Sequence, residues 1–135
     1  MFKETEKSTF KYWFAHWCAY QMTALNLKCW KFKYLFHDAE KPWLKLWWGE
    51  YEKVRQWHRY HNKHHLAYKN INKIDWEALI IDWECSRFTK EDSPKTAREM
   101  YDYFLNIRFK RGDYTNEMQE LFIKNIPPIL DKLGI

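Results

Sequence analysis

Glycine and proline are scarce: three Gly and four Pro in 135 residues. A fold of many short strands needs turn chemistry every few residues, which argues against a sandwich or barrel. Apolar residues instead recur at intervals of three and four almost throughout, the spacing of one face of an α-helix. The expectation is an all-α chain: one compact helical bundle of about six to seven helices, forming a single domain over residues 1–135. Nine Trp, each able to bury roughly 150–250 Å², supply a large core for so short a chain.

Start and stop signals divide the chain. Ser8 or Thr9 can cap a first helix to about Leu27, with Phe10, Trp13, Trp17, Tyr20, Ala24 and Leu27 on one stripe. A second helix is expected from about Cys29 into His37-Asp38. A third, with Pro42 in its first turn, carries Leu44, Trp47, Trp48, Tyr51, Val54 and Trp57 toward His65. Residues 69–73 read as a loop. Asp75 can cap a fourth helix, Trp76 to about Phe88, with Trp76, Leu79, Ile80 and Trp83 as its apolar stripe. Ser93 as N-cap and Pro94 at the first position open a fifth helix to about Arg111, closed by Gly112. Thr115 caps a sixth, and Pro127-Pro128 would restart a short seventh. Residues 113–135 form a C-terminal helical extension.

Lys and Arg exceed Asp and Glu by a formal net charge of +5, which suits an anionic partner. No nucleic-acid motif is present, which argues against direct DNA or RNA binding. Three cysteines, Cys18, Cys29 and Cys85, show no CxxC spacing, so neither a disulfide framework nor a zinc knuckle is expected. Reduced thiols and a charged beginning, Met1 to Lys7, fit a cytoplasmic protein. The longest uncharged run, Tyr12 to Leu27, is too short and too polar to span a bilayer. An aromatic-rich surface would suit a homodimer.

All six histidines fall between residues 16 and 65. His37 is followed directly by Asp38, an imidazole and a carboxylate that can reach one metal ion together. Two ligands hold an ion weakly, so others must come from distant helices. His16 has Tyr12, Trp13, Ala19 and Tyr20 as helical neighbours and faces inward, although a lone inward His is more often a core residue. Asp82 lies beside an apolar stripe, and its neighbours include Ala78, Cys85 and Ser86. Buried there it needs a cation, either a metal or a Lys or Arg from another helix. His61 and His65 are four apart and would share a helix face, a useful metal spacing. His58 and His64 lie on adjoining faces of the same segment. A solvated basic helix end would account for these four equally well. Lys41, three residues after Asp38, can pair with it or reach a substrate phosphate.

The ordered set His16, His37-Asp38-Ala39-Glu40-Lys41, His61 with His64-His65, and Asp82 resembles the HD-domain superfamily of metal-dependent phosphohydrolases. The combination of HDxxK, Asn62-x-His64-His65 and Asp82-Trp83 is similar to a family of small, mostly uncharacterised phage and bacterial proteins. The resemblance covers about residues 10–104. It implies an HD-like helical fold in which His16, His37, Asp38 and Asp82 bind one metal. Asp38 would bridge to a second metal held by some of His58, His61, His64 and His65. Lys41 would neutralise phosphate charge, and Glu50 would be a further ligand or a general base. Two departures stand out: a short spacing from His16 to His37, which demands a tight helical hairpin, and Glu40 and Pro42 beside Lys41.

The function this implies is hydrolysis of a nucleotide or another small phosphoester at one or two divalent ions (Mn, Fe, Ni, Zn or Mg), in a bacterial or phage-infected cell. Two alternatives accompany it. One is a non-catalytic binding or inhibitor module on the same scaffold. The other is an HD-type di-iron oxygenase.

Overall fold

A computed structural model describes residues 10–48, 50–88 and 95–135. Helix α1 (Phe10–Asn26) buries His16, Tyr20, Gln21, Thr23 and Ala24 on its inner side. It stops where Lys28 takes a left-handed φ of 58°, and the Cys29 amide closes the end on the Ala24 carbonyl at 3.0 Å. The expected second helix is a short 3-10 turn instead, Phe32–Phe36. The backbone before it is extended at Lys31. Gln21 explains why. Its amide donates to the Tyr34 carbonyl at 2.5 Å and accepts from the Trp30 indole at 2.8 Å, so the chain is tied straight back onto α1. That tie makes the tight return from His16 to His37.

The expected third helix is two. Helix α2 spans Lys41–Trp48 and α3 spans Tyr51–His61. Glu50 between them is extended, with φ −106° and ψ 116°, and follows Gly49, a residue that weakens a helix. Helix α3 ends at His61 and does not reach His65, because Asn62 is extended and its side chain takes the His58 carbonyl at 2.9 Å. A 3-10 turn (Ile71–Lys73) sits in the expected loop.

Helix α4 (Trp76–Ser86) is capped by Asp75, whose carboxylate accepts from the Ala78 amide at 3.1 Å. The sequence shows one apolar stripe on it, but both sides are buried. Leu79, Ile80 and Trp83 join a core with Phe104, Phe109, Phe122, Ile126 and Leu130. Ala78, Ile81 and Cys85 pack on the other side with Tyr20, Ala24 and Tyr34. Thus α4 lies at the centre, with α1 on one side and α5 and α6 on the other.

Helix α5 (Ala97–Tyr103) opens on Thr96, not Ser93. The Thr96 hydroxyl accepts from the Glu99 amide at 3.2 Å, and the Glu99 carboxylate accepts from the Thr96 amide at 3.1 Å, a reciprocal cap. Ser93 and Pro94, like Ser8 and Thr9, lie outside the described residues. The helix continues as a π turn (Phe104–Arg108) and a 3-10 turn (Phe109–Arg111) before Gly112 ends it at φ 81°.

Helix α6 (Asn116–Leu133), capped by Thr115, runs unbroken through Pro127 and Pro128; the expected restart does not occur. The two prolines leave the carbonyls of Ile123 and Lys124 without helical partners, but both residues face solvent, where water can serve them. Fully buried Phe122, Ile126 and Leu130 hold both halves on one core. No strand occurs among the described residues. None of their helices is long and apolar enough to cross a membrane, and all three cysteines are free thiols. Several large apolar side chains remain exposed, among them Phe32, Trp43, Leu46 and Trp47.

Candidate metal centre

Four segments converge beside α4. Helix α1 brings His16, the turn after the Phe32–Phe36 helix brings His37 and Asp38, and α3 with the turn behind it brings His58, His64 and His65. Helix α4 itself supplies Asp82. His16, His37, Asp38, His58 and His64 are buried, and His65 and Asp82 are largely so.

Asp38 is the hinge of the arrangement. Its φ is 55°, a left-handed conformation that Asp tolerates better than most residues. The turn is held from both sides: the Trp13 indole donates to the Asp38 carbonyl at 2.8 Å, and the Lys41 amide donates to the same oxygen at 3.1 Å. With the backbone so placed, the two carboxylate oxygens face opposite groups of imidazoles. Oδ2 lies 3.7 Å from His16 Nε2 and 3.4 Å from His37 Nε2. Oδ1 lies 2.8 Å from His58 Nε2 and 3.1 Å from His64 Nε2. Asp82 Oδ1 completes the first group, 2.9 Å from His16 Nε2 and 3.2 Å from His37 Nε2. His65 completes the second.

These spacings fit a cation. Donor atoms bonded at about 2.1 Å to one ion sit about 3.0–3.4 Å from one another. The first group also crowds two imidazole nitrogens, 3.1 Å apart, onto one carboxylate oxygen. In the second group the buried His58 Nε2 and His64 Nε2 both close on one oxygen, Asp38 Oδ1, at 2.8 and 3.1 Å, and the buried His65 Nε2 has no hydrogen-bond partner. Buried nitrogens crowded onto one oxygen or left unpaired are costly unless something they share compensates. A bound metal would satisfy all of them.

Electrostatics support the same reading. Burial drives His37 down to about 4, against the pull of Asp38, so its ring is neutral near pH 7. Burial likewise holds His65 well below the ordinary imidazole value. Asp38 and Asp82 run the other way. Burial pushes each carboxyl up, but His37, Lys41 and His58 around Asp38, and hydrogen bonds from His16 and His37 to Asp82, outweigh it and hold both well below the usual carboxylate range. A neutral His37 and His65 beside ionised carboxylates are in the protonation states a metal site needs, whereas Asp38 and Glu40 raise His58, whose proton a metal would have to displace.

His58 is oriented from behind. Its Nδ1 bonds the Glu40 carboxylate, and Asn62 donates to the same carboxylate oxygen at 2.7 Å. A carboxylate on one imidazole nitrogen fixes the tautomer and leaves the other nitrogen's lone pair aimed at the centre. His37 is positioned by stacking on buried Tyr20, with ring centroids 3.7 Å apart. Behind His16, Cys85 Sγ lies 3.9 Å from Nδ1.

Of the residues expected from sequence, the fold gathers His16, His37, Asp38, His64, His65 and Asp82. Lys41 stands at the rim, its Nζ 3.3 Å from Asp38 Oδ2. His61 is left out. Because α3 ends there, His61 and His65 do not share a helix face. His61 stacks on Trp57 at 4.1 Å and bonds the Trp57 carbonyl at 2.9 Å instead. Glu50 is also outside, exposed and 3.5 Å from Lys53. His58 takes the place among the ligand candidates that the His61–His65 spacing suggests for His61. In the sequence Glu40 stands out only as an odd neighbour of Lys41. The signal for its role is His58 and Asn62, four apart on a helix and able to meet one carboxylate.

A cleft of about 600 Å³ opens over the centre. His16, Asp38, His58, His65 and Asp82 line one part of it, with Lys41, Arg55, Arg59, Lys95 and Arg108 along its walls. No family model, curated protein or solved structure matches this chain.

Proposed function

We propose that this protein is a metal-dependent phosphohydrolase acting on a nucleotide or other small phosphoester, with two divalent ions bridged by Asp38. The observation that carries the reading is the Asp38 carboxylate, whose oxygens each face a separate imidazole group. His16, His37 and Asp82 would hold one ion, and His58, His64 and His65 the other. A donor set this rich in imidazole favours Mn, Fe, Ni or Zn over Mg.

Ions held there would lower the pKa of bound water toward about 7 and would share the charge of a transferred phosphoryl group. The chain supplies the rest. Asp38 fixes the spacing between the two groups. Lys41 stands beside Asp38 at the cleft, where an ammonium offsets phosphate charge. Arg55 and Arg59 make the approach electropositive. Tyr12 and Tyr103 give the cleft aromatic walls against which a nucleobase can stack. The ordered motifs that resemble HD-domain phosphohydrolases support the same assignment.

Elemental analysis of the untagged protein tests the reading, followed by a phosphate-release screen over nucleotides. The expected result is one or two equivalents of transition metal, lost in Asp38→Ala with helical content unchanged, together with phosphate release. Absence of metal after incubation with Mn and Fe would overturn it. Iron with oxygen-dependent absorbance changes and no phosphate release would reassign the centre to oxidative cleavage.

A further inference from the structure

The cleft does not end at the metal ligands. Asp82, Trp83 and Ser86 of α4 continue its wall toward Tyr103, Phe104, Arg108 and Tyr114. Trp83 stacks on Phe104 with ring centroids 5.3 Å apart. The Arg108 guanidinium lies 5.2 Å from the Phe104 ring centroid and 5.8 Å from that of Tyr114. Arg108 Nη2 donates to the Tyr114 hydroxyl at 3.2 Å. Each of these partners is neutral. Arg108 Nε is buried and has no hydrogen-bond acceptor. A guanidinium placed in a cleft and held by two rings, with an N–H left over, is built to receive an anion.

The backbone is specialised at the same place. Arg108 is the last residue of the π turn, closed by the Phe109 amide on the Phe104 carbonyl. A π turn adds one residue to the helix, which rotates the residues beyond it by about 100° relative to an unbroken α-helix. Lys95 lines the same end, its Nζ 5.3 Å from the Tyr103 ring centroid.

We infer that Arg108 anchors a second anionic group of the substrate, distinct from the phosphate at the metal centre. Resting on the phosphohydrolase reading, this narrows the substrate class to phosphoesters with at least two anionic groups, such as nucleoside di- or polyphosphates.

The test separates the two readings. The full chain, stripped of metal with EDTA, is titrated with inorganic tripolyphosphate by calorimetry. Binding to the wild type is expected, weakened about tenfold or more in Arg108→Met, weakened less in Arg108→Lys, and not weakened in Asp38→Ala. No binding to the wild type, or equal binding by Arg108→Met, would overturn the subsite. Should Arg108→Met fail to fold, the Arg108 Nε–H resonance of the wild type serves. Tripolyphosphate should shift it and slow its exchange with water, and an unmoved resonance would also overturn the subsite. Failure of the phosphohydrolase reading looks different: no metal and no phosphate release, with tripolyphosphate still bound through Arg108.

Discussion

Asp38 combines a strained backbone, complete burial and a carboxylate that faces two ways. A non-glycine residue in the left-handed region costs of order 1 kcal/mol, and the Trp13 and Lys41 bonds to its carbonyl offset that cost. Glu40 is the less obvious neighbour. It holds His58 from the far side of the ring, and its own carboxyl sits below the usual range, burial being outweighed by His58. Glu40→Gln keeps the shape and removes the charge. It should weaken metal binding at the His58–His64–His65 group by about 10–100-fold and leave the His16–His37–Asp82 group much less affected. Metal titration resolving two affinities checks this, and equal weakening of both would sink the separation. His16, His37, Asp38 and Asp82 can be named together from the sequence because their order resembles the HD signature, whereas helix faces alone leave His16 open to a core role and Asp82 open to a Lys or Arg partner. The choice of His58 over His61 is not legible there, because it depends on where α3 stops, and that is set by Asn62 and Glu40 from outside the helix.

Helix ends with side-chain caps come directly from sequence: Asp75, Thr115 and Gly112 each stand where capping chemistry requires. Tertiary packing overrides local signals elsewhere. The 3-10 turn at Phe32–Phe36 exists because Gln21 ties the extended approach to α1. The α6 prolines are carried by a core that spans them. Two substitutions measure these balances. Thr96→Ala removes the acceptor for the Glu99 amide and should cost about 1 kcal/mol, seen as a lower urea midpoint with unchanged slope. Pro128→Ala lets position 128 donate to the Lys124 carbonyl. A proline inside a helix costs up to about 3 kcal/mol, and its stiffening of the unfolded chain returns about 0.4–1 kcal/mol. The net expectation is a gain of about 1–2 kcal/mol, and a loss would mean α6 needs a bend at that position.

Across the whole molecule, α4 joins two apolar clusters and also floors the centre, so ligand binding and global stability are coupled. Consider the metal-free protein first. His37 and His65 have depressed values in the fold, so the unfolded chain binds more protons than the native one below about pH 6.5. Stability from these two rings is present above that pH and is lost as pH falls toward the folded value of about 4 for His37, at up to about 1.4 kcal/mol per pH unit per proton. His58 acts in the opposite sense. Burial lowers it, but Asp38 and Glu40 prevail and raise it. Its contribution is complete below about pH 6.5 and fades as pH rises through the raised value. A metal at His58 Nε2 must displace that proton. Metal affinity should therefore climb with pH until the raised value is passed, then level off. An ion present at 100 times its dissociation constant adds about 2.7 kcal/mol of stability. Melting curves with and without EDTA at about pH 6 and pH 8, spanning the ordinary imidazole value, test the coupling. The metal-dependent rise in Tm should be larger at the higher pH, and in His58→Ala it should shrink to the part given by the His16–His37–Asp82 group and lose the pH dependence that the His58 proton imposes. An increment equal or larger at the lower pH would show that the His58 proton does not compete with the metal, and His58 would then be a structural residue beside the centre.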